Sequence, residues 1–195
     1  MIDSGSTDET LNIVKRHNVE LYEIRPEEFT YSYALNLGFG HSKGKFVCAL
    51  SAHAIPISEN WLSVLLNNFE DNKVAGVTSK EVPWKRANLY EKYRLESAFN
   101  NERKVFTNNK EKDLIFSNAA SCIRKSVWQR FPFEEALYAE DYYWAKKVLN
   151  KGYKIVYEPE AVVNHSHNDS PRIQAHRYLK SYFTHRIYNE KGTGF

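Results

Sequence analysis

Short apolar runs suited to buried strands recur along this chain in alternation with amphipathic helical stretches, and the connections between them are brief. Residues 45–50, through Phe46, Val47 and Cys48, are nearly continuously apolar, as a strand covered on both faces requires. Residues 74–78, 119–123 and 153–157 read the same way, with Pro159 closing the last, and 19–24 alternates apolar with polar. Between them, Ser6-Thr7-Asp8-Glu9 reads as a capping box that opens a helix ending near Arg16. Residues 33–41 form a short helix ended by the glycines at 38 and 40. Ser58 caps a helix whose Trp61, Leu62, Leu65, Leu66 and Phe69 share one face. Residues 87–99, 126–130 and 141–150 are helical in pattern, with Gly152 as the last stop. The expected fold class is α/β: a mostly parallel open sheet with flanking helices.

A chain of 195 residues supports one sizeable core. A formal charge of +3 is too mild for a dedicated nucleic-acid binder. Two cysteines, Cys48 and Cys122, both in apolar strand-like runs, exclude a disulfide scaffold and point to reduced core thiols in a cytoplasmic protein. No stretch approaches the roughly 20 apolar residues of a membrane span, and the first residues lack a secretory pattern. Residues 100–113 are polar and charged around Asn108-Asn109-Lys110-Glu111-Lys112 and read as an exposed mobile loop. The domain is expected over 1–169. Residues 170–195 form a basic amphipathic helix, with Ile173, Leu179, Tyr182, Phe183 and Ile187 among Arg172, His176, Arg177, Lys180, His185 and Arg186. It docks on its own domain, on a second subunit of a homo-oligomer, or on a membrane surface.

Ligands of open parallel sheets sit at the carboxyl ends of strands, which singles out four polar clusters. Asp3 to Asp8 precedes a helix start, and the cap accounts for Ser6 and Glu9 but leaves Asp3 for a base or ribose. His53 follows the most apolar strand. His165 and His167 follow 161–163, and in extended chain they point the same way, toward one ion. Glu140-Asp141 opens a helix among Tyr138, Tyr142, Tyr143 and Trp144, where rings can stack on sugars and a desolvated carboxylate can act as a general base. A metal hydrolase built on His53, His165 and His167 is the weaker alternative, because no activated nucleophile accompanies them.

The ordered set of motifs resembles the family-2 glycosyltransferases with the GT-A fold, and most of all their rhamnosyltransferase-like branch. The resemblance rests on Ile2-Asp3-Ser4-Gly5-Ser6-Thr7-Asp8-Glu9, Ala34-Leu35-Asn36-Leu37-Gly38, Leu50-Ser51-Ala52-His53-Ala54-Ile55-Pro56, Ser117-Asn118-Ala119, Ala139-Glu140-Asp141 and Ala161-Val162-Val163 with His165. It covers most of residues 1–167 and implies a Rossmann-like GT-A sheet carrying a nucleotide-sugar donor. Asp3 then meets the nucleobase, and Ser4, Ser6, Asn36, Ser51 and His53 fall on the donor side. Asp141 matches the base of an inverting transfer to a polysaccharide or lipid-linked acceptor, with Glu140 orienting it or holding the acceptor.

Ser51-Ala52-His53 stands where the family carries Asp-Xaa-Asp, so His53 and His165 become the expected ligands of a divalent ion. Nitrogen donors favour Mn over Mg; alternatively, protonated His53 pairs with the diphosphate and no metal is needed. Family members usually open with a βα unit before the Asp3 strand, so the resemblance implies an N-terminally truncated chain. A noncatalytic remnant that binds nucleotide weakly or docks on a partner is the other reading. The lipid-linked acceptor implies a cytoplasmic protein, peripheral to the inner face of the membrane. The enzyme reading requires Asp3, His53, Asp141 and His165 to meet at one rim of the sheet.

Overall fold

The computed structural model describes residues 1–110, 113–136, 138–167 and 169–190. Glu111 and Lys112 of the charged stretch, and the side chains of Arg177, Tyr182, His185 and Ile187, lie outside the described residues.

A two-stranded parallel pair, β1 (Ile2–Asp3) and β2 (Tyr22–Glu23), flanks a sheet of six strands. The larger sheet contains β3 (Phe46–Leu50), β4 (Ile55–Pro56), β5 (Val74–Val82), β6 (Lys104–Phe106), β7 (Ala120–Arg124) and β8 (Lys154–Asn164), five of them in the order β3-β7-β5-β8-β4 and β6 paired with β8 off that path. The helices are α1 (Thr10–Val14), α2 (Tyr31–His41), α3 (Trp61–Asn67), α4 (Leu89–Ala98), α5 (Lys125–Arg130), α6 (Glu140–Asn150) and α7 (Pro171–Glu190). The α/β class and the open sheet are as expected. The sheet is mixed: β5 and β8 run parallel, while β7 pairs antiparallel with both β3 and β5, and β4 and β6 pair antiparallel with β8.

Both faces of the sheet are covered, which is why its strands read as apolar runs. Val77, Cys122 and Val156 pack beneath α3 with Trp61, Leu65 and Phe69. Ile123, Ile155 and Tyr157 pack on the other side with Leu95, Phe106, Phe116, Trp144 and Val148. Gly76 lies at the tightest point of that second layer, since a Cβ there would stand 2.8 Å from Phe116 Cε2 and 3.1 Å from Trp144 Cζ3. Cys48 and Cys122 face each other across β3 and β7 as free thiols.

Several local expectations change. Pro159 does not end β8. Ser79 of β5 partners Glu158 and Lys80 partners Val162, so Pro159, Glu160 and Ala161 bulge out, where a missing N–H is tolerated. The bulge has a consequence for parity. Val156 faces α3 before it and Val163 faces α3 after it, with Ala161 of the bulge packed on the same side, so an odd insertion has switched which residues of the strand point to which face.

The charged stretch is not all loop, because β6 pairs with β8 from Lys104↔Tyr157 to Phe106↔Ile155 and buries Phe106. Gly38 and Gly40 lie inside α2 rather than ending it. Ser6 does not cap α1, whose N-cap is Glu9 without a side-chain bond. Ser58 does not cap α3, whose N-cap is Asn60. On α7, Ile173, Leu179 and Phe183 are each about half exposed, while Thr184 is buried.

Candidate active site

Ser51-Ala52-His53-Ala54 turns the chain from β3 into β4, and β4 stitches that turn to the end of β8 through Ile55↔Asn164 and Pro56↔Val163. This two-residue strand brings His53 beside His165. Their Nε2 atoms are 3.0 Å apart, and the His167 ring lies 4.8 Å from that of His53 and 5.0 Å from that of His165, centre to centre. One nitrogen from each of these histidines lies within 4.8 Å of the others.

The carboxylate behind them comes from β5. Glu81 partners Val163 in the parallel register, so its next neighbour on the same face of β8 is His165. The backbone N–H of His165 donates to Val82 O, and Glu81 Oε2 lies 2.6 Å from His165 Nδ1, with both residues buried. Without the three-residue bulge, His165 would point to the opposite face.

The carboxylate assigns the tautomer of His165 and leaves two arrangements for His53. Glu81 accepts from His165 Nδ1–H, leaving Nε2 of His165 with a lone pair. His53 Nε2–H then donates to it, and His53 Nδ1 accepts from Ser51 Oγ at 3.0 Å. Ser51 can equally accept from Nδ1–H, which frees Nε2 of His53 as a ligand. Two imidazole nitrogens on one ion, each bonded at ~2.1 Å, lie about 3.0 Å apart at right angles. The observed spacing fits that arrangement, and Glu81 supplies the carboxylate that orients a ligating imidazole. The donors are neutral nitrogens, which suit a borderline ion better than Mg.

Glu140 and Asp141 open α6 immediately after Ala139, whose left-handed backbone (φ 62°) is strained for a residue with a Cβ. Asp141 Oδ2 accepts from Asn118 N at 3.0 Å and Oδ1 accepts from Tyr142 N at 2.7 Å. The neighbouring Ala119 O accepts from Ser51 N at 2.9 Å. Two consecutive residues therefore tie the base candidate to the histidine turn. Burial pushes the Asp141 carboxyl up to about 6, opposed by the Asn118 and Tyr142 amides and reinforced by the charge of Glu81. Burial, then the charge of Asp141, pushes Glu140 up to about 8. The buried Nδ2 of Asn118 lies near Glu140 and makes no hydrogen bond among the described residues.

Asp3 is placed differently. Its carboxylate accepts from Gly5 N and Ser6 N at 2.9 Å each and from Ser6 Oγ, so the Ser6 hydroxyl foremost holds its pKa below the usual carboxylate range. Gly5, at φ +95°, lies where a Cβ would stand 2.8 Å from Pro26 Cγ. Asp3 and Ser6 order this turn, with Ser4 half-buried inside it. Asn36 ties α2 to α5 and to the chain after it: Oδ1 accepts from Trp128 Nε1 and Phe133 N, and Nδ2 donates to Phe133 O. Of the four residues required to meet, His53, His165 and Asp141 are linked through Glu81, Ser51 and residues 118–119; the side-chain bonds of Asp3 lie within its own turn.

Sequence reasoning missed Glu81, because it ended that strand at Thr78, although the alternation Val77, Ser79, Glu81 continues. It also missed α4's contribution. The buried Glu91 carboxylate accepts from Arg94 Nε and Nη2 at 2.8 Å each and from His167 N at 3.1 Å.

Residues 1–131 match glycosyl transferase family 2. The O-antigen chain rhamnosyltransferase WbaN of Salmonella anatum is 33% identical over 188 residues, which are 92% of this chain and 59% of that protein. The chain thus spans about three fifths of the length of that relative. The fold is shared with the mannosyltransferase PcManGT from Pyrobaculum calidifontis, solved with GDP-Man and Mn2+ (TM-score 0.60, 21% identity, 85% of this chain and 46% of that one). It is also shared with S. aureus TarS 1–349 (TM-score 0.62, 14% identity, 83% and 48%).

Proposed function

From the premise that the chain belongs to glycosyl transferase family 2, we propose that it transfers a sugar from a nucleotide-sugar donor to a hydroxyl of a polysaccharide or lipid-linked acceptor, with inversion and with Asp141 as general base. The observation that carries this reading is the linkage of Asp141 to the histidine cluster. Glu81 bonds His165 and its charge is felt by Asp141, and Ala119 and Asn118 join the Ser51 turn to the same carboxylate.

The two acids divide the work by their environments. With Asp141 pushed to about 6 and Glu140 to about 8, the form at neutral pH keeps the proton on Glu140 and the charge on Asp141. Asp141 accepts the proton of the acceptor hydroxyl as its oxygen attacks the anomeric carbon and the nucleoside diphosphate departs. The Asn118 and Tyr142 amides hold the carboxylate in place, and neutral Glu140 orients it or holds the acceptor. His53, His165 and His167 are the residues that would hold a divalent ion, Mn before Mg. When bound, such an ion offsets negative charge on the diphosphate. On the donor side we retain Asp3, Ser4, Ser6, Asn36, Ser51 and His53. Asp3, Ser6 and Asn36 act there by ordering backbone rather than by offering unused side-chain groups.

The test is calorimetric titration of the chain with UDP, dTDP and GDP, with and without Mn. Binding of one of these nucleotides, strengthened by Mn, supports the reading; no binding of any of the three overturns it.

A further inference from the structure

Arg94 is a cation whose hydrogen-bonding capacity is only partly used. Its Nε and Nη2 make a parallel two-bond pair with Glu91, at 2.8 Å each, which fixes the plane of the guanidinium. Glu91 is itself anchored: 4% exposed, it also accepts from the backbone N–H of His167, the residue that closes the histidine cluster. The pair is therefore locked to the wall of the site rather than to a free surface. The Arg94 side chain keeps 41% of its surface exposed, and its Nη1 makes no hydrogen bond among the described residues. Glu91 foremost raises the pKa of Arg94, with smaller contributions from Glu81, behind His165, and from Tyr138. The guanidinium is thus joined through Glu91 to the backbone of His167, beside the histidine cluster.

The acids around it do not account for this placement. Glu91 pairs with Arg94, and a lysine would serve that pairing without a fixed fork. A fork held along its Nε and Nη2 edge presents the N–H groups of Nη1 in a set direction, which is how a protein meets an anion that arrives from solvent.

We propose that Arg94, positioned by Glu91, is a charge-stabilising residue for the departing diphosphate. This rests on the sugar-transfer reading. The balance of charge identifies the step. A nucleotide-sugar diester carries two negative charges; when the bond from its terminal phosphate oxygen to the anomeric carbon breaks, that electron pair stays on the oxygen and the nucleoside diphosphate gains a third. The proton of the acceptor hydroxyl goes to Asp141. A cation held beside the histidine cluster through Glu91 and His167 N answers the charge that appears during transfer, in addition to any ion the histidines would hold. Arg94 therefore favours the diphosphate over the intact donor.

The experiment compares wild type, Arg94→Ala and Arg94→Lys in titrations with UDP, dTDP and GDP, with the corresponding nucleosides, and with inorganic pyrophosphate, all with Mn present. Thermal melting is recorded for each protein. Arg94→Ala is expected to weaken the nucleoside diphosphate that wild type binds, and pyrophosphate, by roughly 10- to 100-fold, the worth of a hydrogen bond to a charged group. Nucleoside binding should remain unchanged, and Arg94→Lys should recover part of the loss. Equal diphosphate binding by Arg94→Ala and wild type overturns the role of Arg94 and leaves the sugar-transfer reading standing. An equal loss of nucleoside and diphosphate binding, with a lowered melting point in both variants, overturns it in favour of a purely structural pair. A wild type that binds no nucleoside diphosphate overturns both.

Discussion

Glu140→Gln isolates the cost of keeping two acids side by side at the start of α6. Glu140 is 7% exposed and its carboxyl is pushed from 4.5 to about 8, first by burial and then by the charge of Asp141. Between those values the folded chain keeps a proton that the unfolded chain has released, so this group's contribution to stability is complete below pH 4.5 and falls as pH rises through about 8. A fully separated group would lose about 1.4 kcal/mol per pH unit across that window. Since Asp141 shares protons with it, the expected change from pH 5.5 to 7.5 is about 2 kcal/mol. Glutamine keeps the shape and carries no charge at any pH. Urea unfolding of wild type and Glu140→Gln, followed by tryptophan fluorescence at a series of pH values, should give a variant that gains on wild type by that amount over those two units. Parallel curves would show that Glu140 is ionised in the folded chain, and the division of roles between the two acids would fall with it.

Other outcomes follow from the same geometry. Asp141→Asn should lower transfer by about 10²- to 10⁴-fold while nucleotide affinity stays within about twofold, and in wild type kcat/KM should rise as pH passes through about 6; a variant with ordinary turnover removes Asp141 as the base. Glu81→Gln takes away the carboxylate that orients His165 and should weaken Mn or Co binding by about 10- to 100-fold in a metal titration; an unchanged affinity refutes the assigned tautomer. Gly76→Ala forces a methyl against Phe116 and Trp144 and should cost about 1 to 3 kcal/mol in urea unfolding; a loss below about 0.5 kcal/mol would mean that the aromatic layer yields freely.

What was legible in the letters had a local cause. β3, α3 and α6 each follow from a run of side chains whose periodicity stays within one element, so strand, helix and buried face could be read together. The family resemblance placed Asp141, His53 and His165 in one chemistry before any contact was known, and the structure links those three. At Asp3 the structure differs from the local pattern: the letters give Ser6 to the helix start and leave Asp3 over, whereas Ser6 donates to Asp3 itself. Hydroxyl and carboxylate three residues apart suit either bond, and only the backbone path at Gly5, pressed against Pro26, decides between them.

The sequence by itself determined the class of fold, the covered sheet and the residue types available for chemistry, because these depend on composition and short-range period. Only the tertiary structure decided which polar groups meet. β4 is two residues long and carries no pattern, yet it joins His53 to His165. The bulge at Pro159 to Ala161 shifts the facing of β8 and sets His165 on Glu81. Glu91 reaches His167 across 76 residues of chain. Each of these contacts depends on the register between segments far apart in the chain, and register is set by the packing of the whole sheet rather than by any window along it.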